Sequence, residues 1–142
     1  MNHDVTATII YLMMAAIYPN GDHVHDAQDI GEEIARTDPT LFEAAMLVET
    51  AFRESAFERS AVGPDGRDLC AYQLRDAPRT VLVDLRQCTE IALERLRYSY
   101  HHCPDHPLAI YAGGACDSAI GLRFDRWRMV ELMRIFHVAE DQ

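Results

Sequence analysis

Lysine is absent from this chain, and all thirteen basic residues are arginines, set against 23 acidic residues. The formal charge of −10 at pH 7 argues against nucleic acid or an anionic lipid surface as the main partner, because phosphate binding depends on clustered positive charge. Repeats and low-complexity segments are also missing. With 49% hydrophobic and 25% charged residues, the 142-residue chain is typical of a globular protein, and residues 1–142 are expected to form a single domain.

Hydrophobic runs long enough for a membrane span are lacking too. The apolar run at 9–17 has the composition of a signal-peptide core, yet no basic residue precedes Arg36. Because the positively charged end of a signal peptide is missing, we expect this run to form a core helix. We also expect no stable insertion into a membrane.

Cysteine is sparse, and its four copies allow three disulfide pairings among which the sequence alone does not choose. A zinc site would need paired spacings such as C-x-x-C or H-x-x-x-H. The cluster at 101–106, together with Cys116, supplies the residue types and one H-x-x-x-H spacing, at His102 and His106, but no C-x-x-C to pair with it. We therefore expect no metal and no cofactor.

Apolar periodicity and turn residues predict a mostly α fold with a short loop or β element after the third helix. Thr40 and Glu43 form a possible capping box for that helix. The last helix should be largely enclosed, with Arg123, Arg126 and Arg134 on a solvated stripe. A loop is expected at 60–76, with a small strand pair near 70–74. Helices are expected at about 4–18, 26–36, 40–57, 78–100, 107–112 and 122–136.

Glu54 is the candidate catalytic residue. Leu47, Ala51 and Glu54 follow each other at steps of four and three, which places the carboxyl at the edge of the apolar face, near the end of the third helix. A carboxyl seated against apolar groups keeps its proton to higher pH, and a glycosidase needs such a group as its general acid.

Two segments carry a family resemblance. Glu54-Ser55-Ala56-Phe57, followed by Ala61, Gly66 and Gln73-Leu74, resembles the E-S-x-F…A…G…M-Q-L signature of soluble lytic transglycosylases and related goose-type lysozymes. Farther along, the segment at 109–114 is similar to the A-x-Y-N-A-G segment of that family. The resemblance covers roughly residues 41–121. It implies a lysozyme-like helical fold and cleavage of peptidoglycan glycan strands.

The resemblance also implies roles for individual residues. Glu54 would act as general acid and then as base at the β-1,4 bond between N-acetylmuramic acid and N-acetylglucosamine. The family usually lacks a second catalytic carboxylate and relies on groups of the substrate itself, which leaves an anhydro-sugar end. Ser55 would support the site by hydrogen bonding, and the Tyr111 hydroxyl would contact Glu54 or the substrate. The substrate-binding set is Ser55, Tyr72, Gln73, Tyr111 and Gly113, where bare backbone permits close approach of a ligand or a neighbouring helix.

Departures from the family pattern keep more than one function open. Cys70-Ala71-Tyr72-Gln73 replaces G-L-M-Q, with one residue more than usual between Glu54 and Gln73, and Ala112 replaces an Asn. Asp65 or Asp68 could activate a water molecule, which would give a hydrolytic goose-type lysozyme. The chain could also be a module that binds glycan or a protein partner without turnover, or a helical interaction protein unrelated to this family.

The cellular setting follows from the same resemblance. It implies a periplasmic, secreted or virion-associated protein, with attachment to a secretion machine or a phage particle as an expectation. Disulfides are then favoured. The pairing that we prefer joins Cys103 to Cys116, around the segment that contains Tyr111, and Cys70 to Cys88.

Overall fold

The computed structural model describes residues 6–18 and 24–142 and confirms a mostly helical fold. Six α-helices in this part of the chain are accompanied by one short 3₁₀ helix, Arg79–Leu82, and one two-stranded sheet. The elements are α1 (Ala7–Ile17), α2 (Val24–Arg36), α3 (Leu41–Ser55), β1 (Asp68–Leu69), β2 (Leu74–Arg75), α4 (Leu85–His102), α5 (Ala109–Gly113) and α6 (Ala119–Glu140).

The central helix is α3, which contacts α1, α2, α4 and α6. Eight consecutive residues, 44–51, are buried. A helix that is covered on all sides has to be apolar on all sides, which explains why this stretch departs from simple amphipathic spacing. The first turn of α3 is the predicted capping box: the Thr40 hydroxyl accepts from the Glu43 amide, and the Glu43 carboxylate accepts from the Thr40 amide.

The helix predicted at 78–100 is interrupted. Arg79–Leu82 forms a 3₁₀ helix, and α4 begins only at Leu85. The side chain of Asp84 accepts a hydrogen bond from the Gln87 amide at 3.0 Å. Aspartate is a good N-cap but a poor interior residue, so the local hydrogen bond starts a new helix here. The predicted start of the first helix, at residue 4, lies outside the described residues.

The small sheet confirms the predicted strand pair, although its strands flank residues 70–73 instead of containing them. Asp68 pairs with Arg75 and Leu69 with Leu74 in antiparallel register. Cys70 and Gln73 in the connecting turn both have positive φ, at 63° and 49°. This conformation is costly for residues with a side chain, and such strain is characteristic of functional segments.

The last helix, α6, is longer than predicted and less enclosed. Its C-terminal half buries Leu132, Ile135 and Ala139, and the helix contacts α1, α3 and α5. Its N-terminal half leaves four large apolar side chains exposed, so the expectation of a largely enclosed helix is wrong there. The exposed residues are Ile120, Phe124, Trp127 and Val130.

Two disulfides, Cys70–Cys88 and Cys103–Cys116, confirm the preferred pairing. The first joins the turn of the small sheet to α4, and the second closes a loop that contains α5. Both therefore restrain segments that surround the C-terminal end of α3.

Candidate active site

A cleft of about 950 Å³ lies between the C-terminal end of α3, the small sheet, α4, α5 and the N-terminal half of α6. It combines charged groups with the apolar faces of aromatic and aliphatic side chains, which suits a polar ligand that also has apolar faces, as a sugar chain does. Its lining residues are Glu54, Asp68, Gln73, Arg75, Ile91, Glu94, Arg95, Tyr98, Ile110, Tyr111, Ala112, Gly114, Phe124 and Arg128.

Glu54 reaches this cleft from the last turn of α3, and its side chain is 31% exposed. The helix ends directly after it, because Ala56 and Phe57 take left-handed conformations with φ of 52° and 64°. This turn drives the Phe57 ring into the core, where it lies 5.8 Å from the Phe52 ring and 6.0 Å from the Tyr18 ring. The aromatic cluster thus anchors the chain immediately beyond the carboxyl.

Ser55 supports Glu54 without entering the cleft. Its hydroxyl lies 3.0 Å from the Ala51 carbonyl and 2.8 Å from the Ala71 carbonyl, and it accepts a hydrogen bond from the Glu58 amide at 3.1 Å. Ser55 therefore joins the end of α3 to the turn of the small sheet. It is not among the residues that line the cleft.

Arg128 of α6 connects two carboxylates of α3. Its side chain is 2% exposed. Nε and Nη2 donate to Glu49, with distances between 2.8 and 3.1 Å, and Nη2 also donates to the Thr50 hydroxyl at 3.0 Å. The remaining nitrogen, Nη1, donates to Oε1 of Glu54 at 3.2 Å. One buried cation thus serves two acids.

This sharing decides where a proton is held. Burial raises the pKa of the Glu54 carboxyl, Arg128 opposes the rise, and the negative charges of Glu49 and Asp68 add to it. Burial also raises the pKa of Glu49, against the pull of Arg128. Glu49 has a second cation beside it, Arg53 at 3.7 Å, which also favours its charged form. Glu54 makes a single hydrogen bond to Arg128 and faces the cleft, so it is the acid that can take up and release this proton.

Tyr111 lines the cleft close to Glu54, but its hydroxyl donates to the Tyr72 carbonyl at 2.6 Å. Burial and the negative charge of Glu54 raise the pKa of this phenol, so it stays protonated and acts as a donor. The backbone around it is held by Ser99 of α4, whose hydroxyl accepts from the Ile110 and Tyr111 amides at 3.2 and 3.3 Å.

The other expected substrate-binding residues divide between the cleft and the core. Gln73 lines the cleft, and its side-chain amide donates to the Cys70 carbonyl at 3.0 Å. Tyr72 is fully buried, so only its carbonyl contributes, through the bond to Tyr111. A Cβ on Gly113 would lie 2.5 Å from the Gly121 nitrogen. The bare backbone of Gly113 thus serves close packing of α5 on α6, and neither Tyr72 nor Gly113 is among the residues that line the cleft.

A second carboxylate faces the cleft. Asp68 lines it, with one oxygen 3.0 Å from Nε of Arg75 and the other 3.0 Å from Nη2 of the same arginine. Asp65 also accepts from Arg75 but is half exposed and does not line the cleft. Of the two aspartates considered as activators of water, only Asp68 is placed to act in the cleft.

Reasoning from the sequence missed Arg128 and Glu49. Glu49 could have been noticed as the one carboxylate inside the apolar run at 44–51, because a buried charge requires a partner. Arg128 lies off the helical stripe of Arg123, Arg126 and Arg134, which is a weaker signal. Nothing local in the sequence connects residues that are 79 positions apart.

Within the described residues, no group of three or more His, Cys, Asp or Glu side chains is arranged to hold a metal ion. No known protein family matches this chain, and comparisons with curated proteins and with solved structures find no match either. The chemistry of the cleft is therefore the basis for assigning a function.

Proposed function

We propose that this protein cleaves the glycan strands of peptidoglycan as a lytic transglycosylase, with Glu54 as its general acid and base. The observation that carries the proposal is a mostly buried carboxyl with a raised pKa, facing a cleft of about 950 Å³. The resemblance of the segments at 54–74 and 109–114 to the signatures of that family supplies the substrate class. Both segments contribute to the lining of this cleft, through Glu54, Gln73 and Tyr111 among others.

In the first step, protonated Glu54 donates its proton to the glycosidic oxygen, and the C1–O bond of N-acetylmuramic acid breaks. The leaving sugar departs as an alcohol. In the second step, the 6-hydroxyl of the same muramic acid attacks C1 while the Glu54 carboxylate accepts its proton. Water is not consumed, and the product has a 1,6-anhydro end. The cycle restores protonated Glu54, whose conjugate base is held by Nη1 of Arg128 between the two steps.

The surrounding groups fit these steps. The Tyr111 phenol, kept protonated, can donate to the substrate when it leaves the Tyr72 carbonyl. Gln73 offers an amide to the sugar groups along the same wall of the cleft. Ser55 holds the relative positions of Glu54 and the turn that contains Gln73.

A hydrolytic lysozyme is the second candidate, favoured by Asp68. Its carboxylate lines the same cleft and contributes to the raised pKa of Glu54. In that reaction Asp68 would accept a proton from a water molecule that attacks C1, and the product would have a reducing end. The two oxygens of Asp68 already accept hydrogen bonds from Arg75, so a water molecule would have to compete with the guanidinium for them, and this ranks hydrolysis second.

The proposed setting is outside the cytoplasm, where disulfides such as Cys70–Cys88 and Cys103–Cys116 persist. No helix in the described part of the chain combines the length and the apolar character needed to cross a membrane. Attachment to a secretion machine or to a phage particle belongs to the same proposal.

The decisive experiment compares wild type with Glu54→Gln on purified peptidoglycan. We expect wild type to clear a turbid suspension and Glu54→Gln to lose clearing while it keeps a folded circular dichroism spectrum. Glu58→Gln is the matched control, because it removes an exposed carboxylate four residues farther on that does not line the cleft. Full clearing by Glu54→Gln would refute the assignment, and no clearing by wild type would leave only a binding role for the cleft.

Mass spectrometry of the wild-type products, formed in ¹⁸O-labelled water, separates the two reactions. Anhydro ends without ¹⁸O indicate a transglycosylase. Reducing ends that contain ¹⁸O indicate a hydrolase, and Asp68→Asn should then abolish their formation.

A further inference from the structure

Three arginines line the cleft, and two of them are neutralised by carboxylates of the protein. Arg75 is bound by Asp65 and Asp68, and Arg128 by Glu49 and Glu54. The third, Arg95 of α4, is half-buried and forms no ion pair or hydrogen bond with any described residue. The charge of Arg95 also acts on Asp76, but that exposed carboxylate accepts at both oxygens from Arg67. In a chain with 23 acidic residues, a cation in the candidate active site that is left without a hydrogen-bonded counter-charge requires an explanation.

Three other described arginines also form no ion pair or hydrogen bond, but they differ from Arg95 in exposure and location. Arg79, Arg123 and Arg126 are exposed, so water solvates their charges, and none of them lines this cleft. Arg95 is partly removed from water, which makes a charge-assisted bond to an incoming anion stronger there than at the surface. Arg95 and Glu54 line the same cleft, so a ligand held by Arg95 occupies the space that the reacting carboxyl faces.

The shape of the guanidinium group defines the ligand chemistry. Arginine presents a planar fork of donors that matches a carboxylate in two-point contact. Glu94, the neighbouring residue on this wall, is exposed, so its opposing charge is weakened by solvent. The charge on the wall of α4 therefore favours a sugar chain that carries a carboxylate.

We propose that Arg95 is a specificity-determining residue that binds a carboxylate carried by the glycan strand and makes the cleft prefer anionic glycans over neutral chitin oligomers. This inference rests on the proposed function for its substrate class. A muramic acid unit offers the carboxylate in two ways. It comes from the lactyl group where the peptide stem has been removed, and from the stem itself where the stem is present.

Calorimetric binding in the Glu54→Gln background tests the proposal without turnover. The three probes are a neutral N-acetylglucosamine hexamer, amidase-treated strands with free lactyl groups, and soluble strands that keep their stems. We expect at least one anionic probe to bind about tenfold more tightly than the neutral hexamer, the effect of one charge-assisted hydrogen bond. Tight binding of amidase-treated strands identifies the lactyl group as the source, and tight binding of stem-bearing strands identifies the stem.

Adding Arg95→Gln should abolish this preference and leave the affinity for the neutral hexamer unchanged. Arg95→Lys should restore part of the preference, and added salt should reduce it. Arg79→Gln is the matched control, because it removes the same charge from an exposed site outside the cleft and should leave the preference intact. Since Arg95 has no described partner, its replacement is not expected to disturb folding.

The remaining outcomes separate this inference from the proposed function. Equal binding of all three probes, or equal weakening of all three by Arg95→Gln, would overturn the role of Arg95 even if wild type cleaves peptidoglycan. A preference that depends on Arg95, in a protein that cleaves nothing, would uphold it while the proposed enzymatic activity fails. Absence of binding to every probe would overturn the role of Arg95, and the clearing assay with wild type decides the enzymatic activity separately.

Discussion

Glu49 and Glu54 share Arg128, and the structure predicts that removing their charges has different consequences. Glu49→Gln removes the carboxylate that accepts from both Nε and Nη2 and is itself fully buried. The guanidinium then keeps the Thr50 hydroxyl and only one carboxylate, Glu54, through Nη1. Glu54→Gln leaves every contact of Arg128 with Glu49 and Thr50 in place. The first variant should therefore be strongly destabilised and the second should not.

The size of the difference follows from the burial of the pair. Removing one partner of a buried ion pair costs about 3–5 kcal/mol. The lower end applies to Glu49→Gln, because Glu54 remains as a counter-charge, and a loss of about 3 kcal/mol lowers the Tm of a chain of this size by roughly 6–12 °C.

Glu54 contributes differently to the free energy of unfolding. Its pKa is raised on folding, so the stability that it contributes is present at low pH and lost as pH rises through the folded pKa. At pH 7 a neutral glutamine should leave the free energy of unfolding unchanged or raise it.

The measurement is thermal and guanidinium-induced unfolding at pH 7, followed by circular dichroism with both disulfides intact. Glu58→Gln, at an exposed position, should lie within about 0.5 kcal/mol of wild type. Equal losses in Glu49→Gln and Glu54→Gln, or a larger loss in Glu54→Gln, would refute the description of the shared arginine.

Glu49→Gln should also change the pKa of Glu54. In Glu49→Gln, the whole charge of Arg128 acts on Glu54, and the repulsion from Glu49 is gone, so the pKa of Glu54 should fall relative to wild type. The alkaline limb of the activity profile should shift to lower pH. An unchanged profile in a folded Glu49→Gln protein would show that Glu49 does not tune Glu54.

Three further predictions address the pH dependence, the packing of α5 and the second disulfide. Cleavage by wild type should fall as pH rises through the raised pKa of Glu54, and a kcat profile that instead increases into the alkaline range would contradict its role as the acid. Gly113→Ala should lower the free energy of unfolding by about 1–3 kcal/mol, because its Cβ would collide with α6. Gly114→Ala, at a residue with φ of 78° and open space around it, should lower it by only about 1 kcal/mol. Equal losses in guanidinium titrations would argue against the close contact at Gly113. Replacing Cys103 and Cys116 by Ala should lower the free energy of unfolding by about 3 kcal/mol for a sequence separation of 13. Because the loop that this disulfide closes contains Tyr111, glycan cleavage should also fall at temperatures where the variant is still folded.

The parts of the fold that follow from local interactions were predictable. The start of α3 depends on Thr40 and Glu43, which are three residues apart, and its end depends on the turn just after Glu54. The break before α4 is also local, but the apolar spacing continues across it and conceals the capping role of Asp84. The exposure of the first half of α6 could not be predicted, because apolar spacing does not reveal which faces other elements leave uncovered.

The candidate site likewise has some residues that local motifs predict and others that depend on long-range contacts. Glu54, Gln73 and Tyr111 were predictable from short motifs, and the structure places all three around one cleft. The role of Arg128 depends on contacts across 74 and 79 residues, which exist only after α6 has packed on α3. Arg95 was equally hidden, because its significance lies in the absence of any described partner in the folded chain.

The docking of α6 on α3 thus connects the chemistry to the folding of the chain. Before Arg128 arrives, the only cation near the buried Glu49 carboxylate is Arg53 on the same helix, 3.7 Å away and without a hydrogen bond to it, so the buried position of α3 remains costly. Once Arg128 binds Glu49, the pair is neutral, and the last nitrogen of the guanidinium is left to hold Glu54 at the edge of the cleft. Fixing Glu54 in this way limits its exposure to water, and that burial is the largest cause of its raised pKa. The arginine that stabilises the helix packing therefore also positions the acid, and a substitution that loosens α6 should impair cleavage even where it lies far from the cleft.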